Sequence, residues 1–209
     1  MLRRKLLTGA AAAALTANVS FQAFARERKT LIVGMDAAYP PFGFQNSKAG
    51  TYVGFDVDVI RAIGKAEGFA VDIRNMAFDG LIPALKTGNI DIAINDITVT
   101  PERQKSVDFS DRYYIAGLGV VVAAGNNTIK TAKDLEGRKL AASIGSTGEI
   151  AAKAIKGADV RIFNQLNECF LELRNGGVEA VINDIPTNDY YVACLLYTSP
   201  SPRDRSLSR

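Results

Sequence analysis

The sequence predicts an α/β protein with two lobes, in which helices flank mostly parallel sheets. The first observation is that buried strands alternate with amphipathic helices between residues 30 and 94. The second is the apolar run 115–124, which is long for one strand and suits a segment that crosses between lobes. The third is that the alternation restarts after Gly125. Such alternation predicts parallel strands joined by covering helices, and its restart predicts a second lobe.

The first 25 residues contain the three parts of a secretory signal peptide. Basic residues at 3–5 precede an alanine-rich apolar stretch that is too short to span a membrane, and residues 23–25 form a small-residue cleavage site. We expect cleavage after Ala25 and a mature protein in the periplasm. The adjacent arginines suit both an ordinary export signal and twin-arginine export, so the export route stays open.

The composition excludes several kinds of site. The 209 residues include no histidine, which excludes histidine triads and histidine metal sites. Cys169 and Cys194 are too few and too far apart for a zinc site, and whether they pair stays open. Neither a metal nor a cofactor is expected. Without the three basic residues at 3–5, 22 of the 25 Lys and Arg residues remain and balance 22 acidic ones, so no basic surface for nucleic acid is expected.

The predicted elements of the first lobe follow one another closely. Two prolines, Pro40 and Pro41, prevent the first strand (30–35) from continuing, so Asp36 and Tyr39 lie in the loop at its exit. The spacing of apolar residues and a terminal glycine then predict a helix at 55–68. The remaining elements are a strand at 70–73, a helix at 81–86 with Pro83 in its first turn, and a strand that ends near Ile94.

An arginine follows the last strand of this lobe. The strand ends in Asn95, Asp96 and Thr98, and Pro101 opens a short helical turn that brings Arg103 back toward the strand end. A guanidinium can bind a carboxylate through two parallel hydrogen bonds, and open α/β sheets bind small ligands at their strand ends. Lone arginines are also common in weak surface ion pairs, so this stretch alone does not decide the role of Arg103.

The predicted second lobe has polar segments at two strand ends. Residues 143–148 connect a strand to a helix, where free N–H groups and the helix dipole favour an anion. Asn183 and Asp184 close the last strand, and Asp184 also suits a helix N-cap. The other predicted elements are helices at 131–135, 149–155 and 165–174, and strands at 139–143, 160–163 and 178–182.

Several motifs occur together in one order: Tyr39-Pro-Pro-Phe, Gly54-Phe-Asp-Val-Asp, Phe78-Asp-Gly-Leu-Ile-Pro-Ala-Leu, Ile97-Thr-Val-Thr-x-Glu-Arg, Asp108-Phe-Ser-Asp-x-Tyr-Tyr and Asn183-Asp. This set resembles the polar amino-acid-binding family of periplasmic solute-binding proteins that serve ABC transporters, such as the glutamine, histidine and lysine/arginine/ornithine binders. The resemblance spans about residues 29–192. It implies the type II periplasmic-binding-protein fold, no enzymatic activity, a monomer, and an ABC transporter permease in the inner membrane as partner.

The resemblance also implies how an amino acid is bound at its two charged ends. Arg103 would bind the α-carboxylate from the first lobe, and Ser146 and Thr147 would bind the same group from the second lobe. Asp184 would accept hydrogen bonds from the α-ammonium group, with help from Thr98 and the carbonyl of Asp96. A zwitterion needs one cationic and one anionic partner when it is sheltered from water, so the chemistry agrees with these roles.

The ligand side chain would be enclosed by Tyr39 and Phe78 and met at its distal end by Asp36. Two acids, Asp36 and Asp96, together with two amides, Asn95 and Asn183, favour a cationic or amide side chain over an acidic one. Ser143 stands where glutamine binders carry lysine, which weakens a strict assignment to glutamine. Arginine, lysine, histidine and glutamine therefore stay open as a class.

The chain departs from the family near its end. From about Leu195 it is rich in Ser, Pro and Arg and has no apolar period, which is typical of a disordered tail. We expect a truncated chain with a foreign end, and a genuine basic tail is the alternative. The expected division is a signal peptide at 1–25, a first lobe at 26–114, a crossover strand at 115–124, an incomplete second lobe at 125–194 and the tail at 195–209.

Two other functions are compatible with this fold. Periplasmic cyclohexadienyl dehydratases are similar in fold and use a carboxylate for acid catalysis, a role that Asp96 or Asp36 could fill if desolvated. A ligand-sensing domain would need a membrane span and an output domain, and neither is visible in the sequence. The clamp formed by Arg103 and Asp184 favours capture of an amino acid over the dehydratase.

Overall fold

A computed structural model describes residues 29–46, 48–198 and 207–208. The predicted signal peptide lies outside these residues. The strands are β1 (Thr30–Met35), β2 (Ala38–Tyr39), β3 (Gly43–Asn46), β4 (Thr51–Val53), β5 (Ala70–Asn75), β6 (Ile92–Ala93), β7 (Leu118–Ala123), β8 (Lys139–Ser143), β9 (Asp159–Phe163), β10 (Ala180–Asp184) and β11 (Leu207–Ser208). The helices are α1 (Phe55–Glu67), α2 (Phe78–Lys86), α3 (Pro101–Gln104), α4 (Thr147–Ala154), α5 (Leu166–Arg174) and α6 (Ile185–Thr198), with a 3-10 helix at Ala132–Leu135.

The first sheet is parallel and has the order β5-β1-β6. Its central strand pairs Val33 with Ile73 on one side and with Ile92 on the other. Val33 is fully buried and packs with Ile60 of α1 and with Ile94, so the helix covers one face of the sheet. The strands, the helix and the parallel pairing agree with the alternation predicted for this part of the chain.

A small antiparallel sheet, β2-β3-β4, leads from the first strand into α1. The helix begins after Gly54, whose φ of 126° lies in a region that L side chains rarely adopt. A Cβ at this position would lie 2.3 Å from the carbonyl oxygen of Phe42. Glycine therefore lets the start of α1 lie directly against the β2–β3 turn.

The second sheet has the order β11-β7-β10-β8-β9. Its strands β8, β9 and β10 are parallel, and β7 pairs antiparallel with β10. Neighbouring residues of β8 pack on opposite faces of the sheet. Ala141 packs with Phe170 of α5, whereas Leu140 and Ala142 pack with Ala152 of α4. The two helices thus cover opposite faces of the sheet, as the period of two along a strand requires.

Several local predictions differ from the structure. The strand predicted at 178–182 is β10, Ala180–Asp184, so Asn183 and Asp184 lie in it, and the crossover strand predicted at 115–124 is β7, Leu118–Ala123. Helix α2 begins at Phe78, three residues earlier than predicted, because Gly80 N–H already donates to the carbonyl of Ala77. Pro83 therefore lies inside the helix, where it removes one backbone hydrogen bond, and not in the first turn. Helix α4 begins at Thr147, two residues early, because Ser146 caps it.

The structure describes two parts of the expected tail, 195–209. Helix α6 continues to Thr198, past the predicted start of the tail, and Leu207 pairs with Ala123 in the antiparallel β11–β7 ladder. These two parts have secondary structure, and that the segment is a tail foreign to the family stays a prediction. The division of the chain into lobes at the expected residues stays a prediction.

Two further features concern the described residues. Cys169 and Cys194, both within the described part of the chain, are not joined by a disulfide bond. Over residues 29–46, 48–198 and 207–208, no helix has both the length and the apolar character that crossing a bilayer requires.

Candidate functional site

A crevice of about 480 Å³ lies where the ends of the two main sheets face each other. All twelve residues that the sequence predicts for ligand binding line it: Asp36, Tyr39, Phe78, Asn95, Asp96, Thr98, Arg103, Ser143, Ser146, Thr147, Asn183 and Asp184. That they share one crevice is a property of the structure, and that they bind a ligand stays a prediction.

Three lining residues were not predicted, namely Ala38, Asn164 and Leu166. Asn164 follows β9 directly, and Leu166 opens α5. The rule that polar residues at strand ends face the ligand would have found Asn164 if it had been applied to β9 as well as to β8 and β10.

The first wall of the crevice is defined here as Asp36, Asn95, Asp96, Thr98 and Arg103. Because β1 and β6 are parallel, Asp36 and Asn95 leave the sheet at the same edge. The side-chain oxygen of Asn95 accepts a hydrogen bond from Asp36 N–H at 2.7 Å, so one strand end holds the other. Both side chains are buried, with exposed fractions of 8% for Asp36 and 2% for Asn95.

Arg103 contacts both walls of the crevice. Its helix, α3, is capped by Thr100, whose Oγ1 accepts from Arg103 N–H at 3.2 Å. Guanidinium Nη1 donates to the carbonyl of Thr98 at 2.7 Å, and Nη2 donates to the carbonyl of Gly145 at 3.0 Å. Burial lowers the pKa of Arg103, and the charge of Asp184 opposes that shift. Arg103 also lies 5.4 Å from the ring centroid of Phe78, a cation–π distance.

The second wall is defined here as Ser143, Ser146, Thr147, Asn183 and Asp184. Ser146 Oγ donates to the carbonyl of Ser143 at 2.7 Å and accepts from Glu149 N–H at 3.0 Å, so it caps α4. The N–H of Gly145 donates to Glu149 Oε2 at 2.6 Å. The serine hydroxyl and the glycine amide thus have partners inside the turn, and the predicted role of Ser146 toward a ligand carboxylate stays a prediction.

Tyr39, in the loop region that follows β1, contacts the second wall through Asp184. Its hydroxyl donates to Asp184 Oδ2 at 2.5 Å and lies 3.1 Å from Asn183 Oδ1. Burial raises the pKa of Asp184, while the Tyr39 hydrogen bond and the charge of Arg103 lower it. Burial, followed by the charge of Asp184, raises the pKa of Tyr39. The structure therefore gives Tyr39 a polar contact in addition to the aromatic role that the sequence predicts.

Asp96 has an unusual backbone and an unusual side chain. Its φ is 47°, a left-handed value that few residues other than glycine adopt. Its N–H donates to Asp56 Oδ2 at 2.8 Å. Burial, followed by the charges of Asp184 and Asp56, raises the pKa of Asp96 to about 7. These surroundings favour the protonated form of the Asp96 carboxyl group relative to an exposed aspartate.

Four buried polar atoms of the crevice have no hydrogen-bond partner among the described residues: Asn95 Nδ2, Asp96 Oδ2, Ser143 Oγ and Asn183 Nδ2. Buried polar atoms in proteins almost always have partners, so such a concentration in one crevice marks a place built to receive a polar molecule. The lining residues carry three carboxyl groups, on Asp36, Asp96 and Asp184, against the one guanidinium of Arg103.

Comparison with known proteins gives the family. Residues 31–185 match the model of the bacterial extracellular solute-binding proteins, family 3. The L-cystine-binding protein TcyJ of Escherichia coli (strain K12) is 36% identical over 193 residues, which cover 88% of this chain and 72% of that protein.

Two solved structures have a similar fold. An ancestral arginine-binding protein bound to arginine has a TM-score of 0.77 and 45% identity, with 80% of this chain and 75% of that chain covered. The ancestral amino acid-binding protein AncCDT-1, a precursor of cyclohexadienyl dehydratase, has a TM-score of 0.76 and 41% identity, with 79% and 78% covered. These likenesses confirm the predicted type II fold with two lobes. The chain therefore belongs to the bacterial extracellular solute-binding proteins, family 3.

Proposed function

We propose that this protein captures a free amino acid with a cationic or amide side chain and delivers it to the permease of an ABC transporter. One observation carries the proposal: a guanidinium and a carboxyl group from opposite walls face the same crevice and act on each other electrostatically. An amino acid carries one negative and one positive group at its α-carbon, so Arg103 and Asp184 suit its two ends.

The proposed binding uses groups that already reach across the crevice. The planar guanidinium of Arg103 has five N–H donors, so it can bind a carboxylate while it keeps bonds to backbone carbonyls. Asp184 would accept from the α-ammonium with the oxygen that does not bond Tyr39. A ligand that contacts both walls favours the conformation in which they are close, which is how differential binding drives closure.

The acidic excess supports the choice of ligand class. Asp36 and Asp96 lie in the crevice beyond the proposed clamp, and a cationic side chain would neutralise charge there, whereas glutamate would add to it. The relatives named for arginine and cystine fit a ligand with polar groups at its far end. We further propose export by the signal peptide at 1–25, a periplasmic location and a monomeric state.

A dehydratase is the second candidate, and a specific observation favours it. Asp96 has a pKa of about 7, so its carboxyl group is suited to donate a proton near neutral pH. The likeness to the precursor of cyclohexadienyl dehydratase points the same way. A catalyst of this kind would turn over prephenate or arogenate, which a binding protein leaves unchanged.

The two candidates separate in one set of measurements. The protein, exported and purified from the periplasm, is titrated with arginine, lysine, histidine, glutamine, cystine and glutamate in a thermal-shift assay and by calorimetry. Prephenate and arogenate are incubated with it in parallel and followed by chromatography. We expect a rise in Tm with one or more of the cationic or amide ligands and no turnover. A strongest response to glutamate, or turnover of either acid, would contradict the proposal.

A further inference from the structure

Asp56 is a buried acid just outside the crevice. It is the second residue of α1 and has no exposed surface. Oδ2 accepts from Asp96 N–H at 2.8 Å, and Oδ1 accepts from the Tyr113 hydroxyl at 2.9 Å. A carboxyl group without solvent is costly unless its oxygens are hydrogen-bonded, so these two contacts account for its place in the fold.

The start of α1 fixes the direction of Asp56. Phe55 N–H donates to the carbonyl of Pro41 at 3.0 Å, and Asp56 N–H donates to the carbonyl of Phe42 at 2.9 Å. Gly54 allows this close approach, as described above. Because the first two N–H groups of the helix are bonded to the β2–β3 turn, the helix has little freedom to rotate Asp56 away from Asp96.

The two partners of Asp56 belong to different parts of the molecule. Asp96 lies in the wall of the crevice, and among the described residues it is the one non-glycine with a positive φ. Tyr113 lies in the segment that leads into β7, and its ring stacks near that of Phe55 with centroids 6.1 Å apart. One buried carboxyl group therefore joins the crevice wall to the chain that enters the second sheet.

We propose that Asp56 is a positioning residue that holds Asp96 in its left-handed conformation and so aims the Asp96 carboxyl group into the crevice. This inference deepens the proposed function and rests on it for its effect on ligand affinity. A residue with a side chain keeps a left-handed backbone only when its surroundings hold it there, and the hydrogen bond from Asp96 N–H to Asp56 is such a restraint. Without Asp56 the loop that carries Asp96 and Thr98 would relax, and the crevice would lose part of its shape.

Asp56 also acts on Asp96 through its charge. The groups that face Asp96 are Asp56 from α1, Asp184 from the end of β10 and Tyr113 from the segment before β7. The two carboxyl groups favour the protonated form of Asp96, since a second negative charge nearby is unfavourable. Removal of the Asp56 charge alone should therefore lower the pH at which Asp96 titrates.

Two substitutions separate the hydrogen bond from the charge. Asp56→Asn keeps an oxygen that can accept from Asp96 N–H and removes the charge, whereas Asp56→Ala removes both. Asp58→Asn is the matched control, because Asp58 lies in the same first turn of α1 and is exposed. The titration of the Asp96 carboxyl carbon is followed by NMR in the protein without added amino acid, and affinity for L-arginine is measured by calorimetry.

We expect Asp56→Asn to lower the titration midpoint of Asp96 and Asp58→Asn to leave it unchanged. We expect Asp56→Ala to weaken L-arginine binding roughly tenfold, which corresponds to about 1.4 kcal/mol. Unchanged NMR signals of the Asp96 backbone, or undiminished affinity for L-arginine, in Asp56→Ala would overturn the positioning role. An unchanged Asp96 midpoint in Asp56→Asn would overturn the effect of the Asp56 charge. If the wild-type protein binds no amino acid while the Asp96 backbone signals move in Asp56→Ala, the proposed function fails and the positioning of Asp96 by Asp56 stands.

Discussion

The two walls of the crevice are held in place by different kinds of contact. On the first wall, Asn95 bonds the backbone of Asp36 and Asp56 bonds the backbone of Asp96, over separations of 59 and 40 residues. On the second wall, Ser146 bonds residues that are three positions away on either side. The first wall therefore depends on long-range packing, whereas the part of the second wall around Ser146 depends on a local turn. Substitutions that break the long-range contacts should act at a distance, whereas a substitution of Ser146 should stay local.

The largest effect is expected from Arg103→Ala. This change removes the cation that faces Asp184 and contacts Gly145, so a bound carboxylate and Asp184 would both lose a partner. Removal of one member of a buried charge pair costs about 3–5 kcal/mol, so the affinity for L-arginine should fall by more than roughly 100-fold. Calorimetry with Arg61→Ala, an exposed arginine of α1, serves as control. Undiminished binding would show that this clamp is absent.

A smaller effect is expected from Asp184→Asn. The amide keeps an oxygen for the Tyr39 hydroxyl and removes the charge that would pair with an α-ammonium group. Hydrogen bonds to charged groups contribute about 1.5–3 kcal/mol, so affinity should fall about 10- to 150-fold. The same variant should lower the pKa of Asp96, because the charge of Asp184 contributes to raising it. If affinity falls and the Asp96 titration does not move, the electrostatic link between the walls is wrong.

Ser146→Ala tests the local character of the second wall. The substitution removes the cap of α4, which should cost about 1 kcal/mol of stability in chemical unfolding. Because the contacts of Ser146 stay within its turn, the NMR signals of Asp36 and Asp96 should hardly change. Ser106→Ala, at an exposed serine, is the comparison variant. Large shifts on the first wall would contradict the contrast between the two walls.

The smallest effect is the response of stability to pH. The folded-state pKa of Asp96, about 7, lies above its ordinary value of 3.8, so between these values the folded protein holds more protons than the unfolded chain. Its contribution to stability is therefore present at low pH and is lost as pH rises from about 4 to about 7. The free energy of unfolding is measured with urea at pH 5 and at pH 8. From pH 5 to pH 8 it should fall less in Asp96→Asn than in the wild type. Equal falls in the two proteins would contradict a raised pKa.

Much of the crevice was predictable because one local rule applies to it. Asn95 and Asp96 follow β6, Asp184 ends β10, and parallel strands of a sheet bring such residues to one edge. The family motifs added Phe78 and Ser146. The same rule would have supplied Asn164, which follows β9.

Other features could not be predicted, because they depend on contacts between distant segments. The bond between Tyr39 and Asp184 joins residues 145 positions apart, and that between Asp56 and Tyr113 joins residues 57 apart. Neither leaves a periodic pattern in the sequence. The left-handed backbone of Asp96 could not be predicted for the same reason, since the carboxyl group that stabilises it lies on another element. Pro83 was misplaced because the helix that contains it begins with residues that also suit a loop.

The titration of Asp96 near neutrality has a consequence for a chain without histidine. Histidine is the side chain whose ordinary pKa lies in the mildly acidic range, and here a carboxyl group close to two others can titrate in that range instead. Mild acid would neutralise the Asp96 carboxylate and so weaken the binding of a cationic amino acid. Scavenging would then be most effective in neutral or alkaline surroundings.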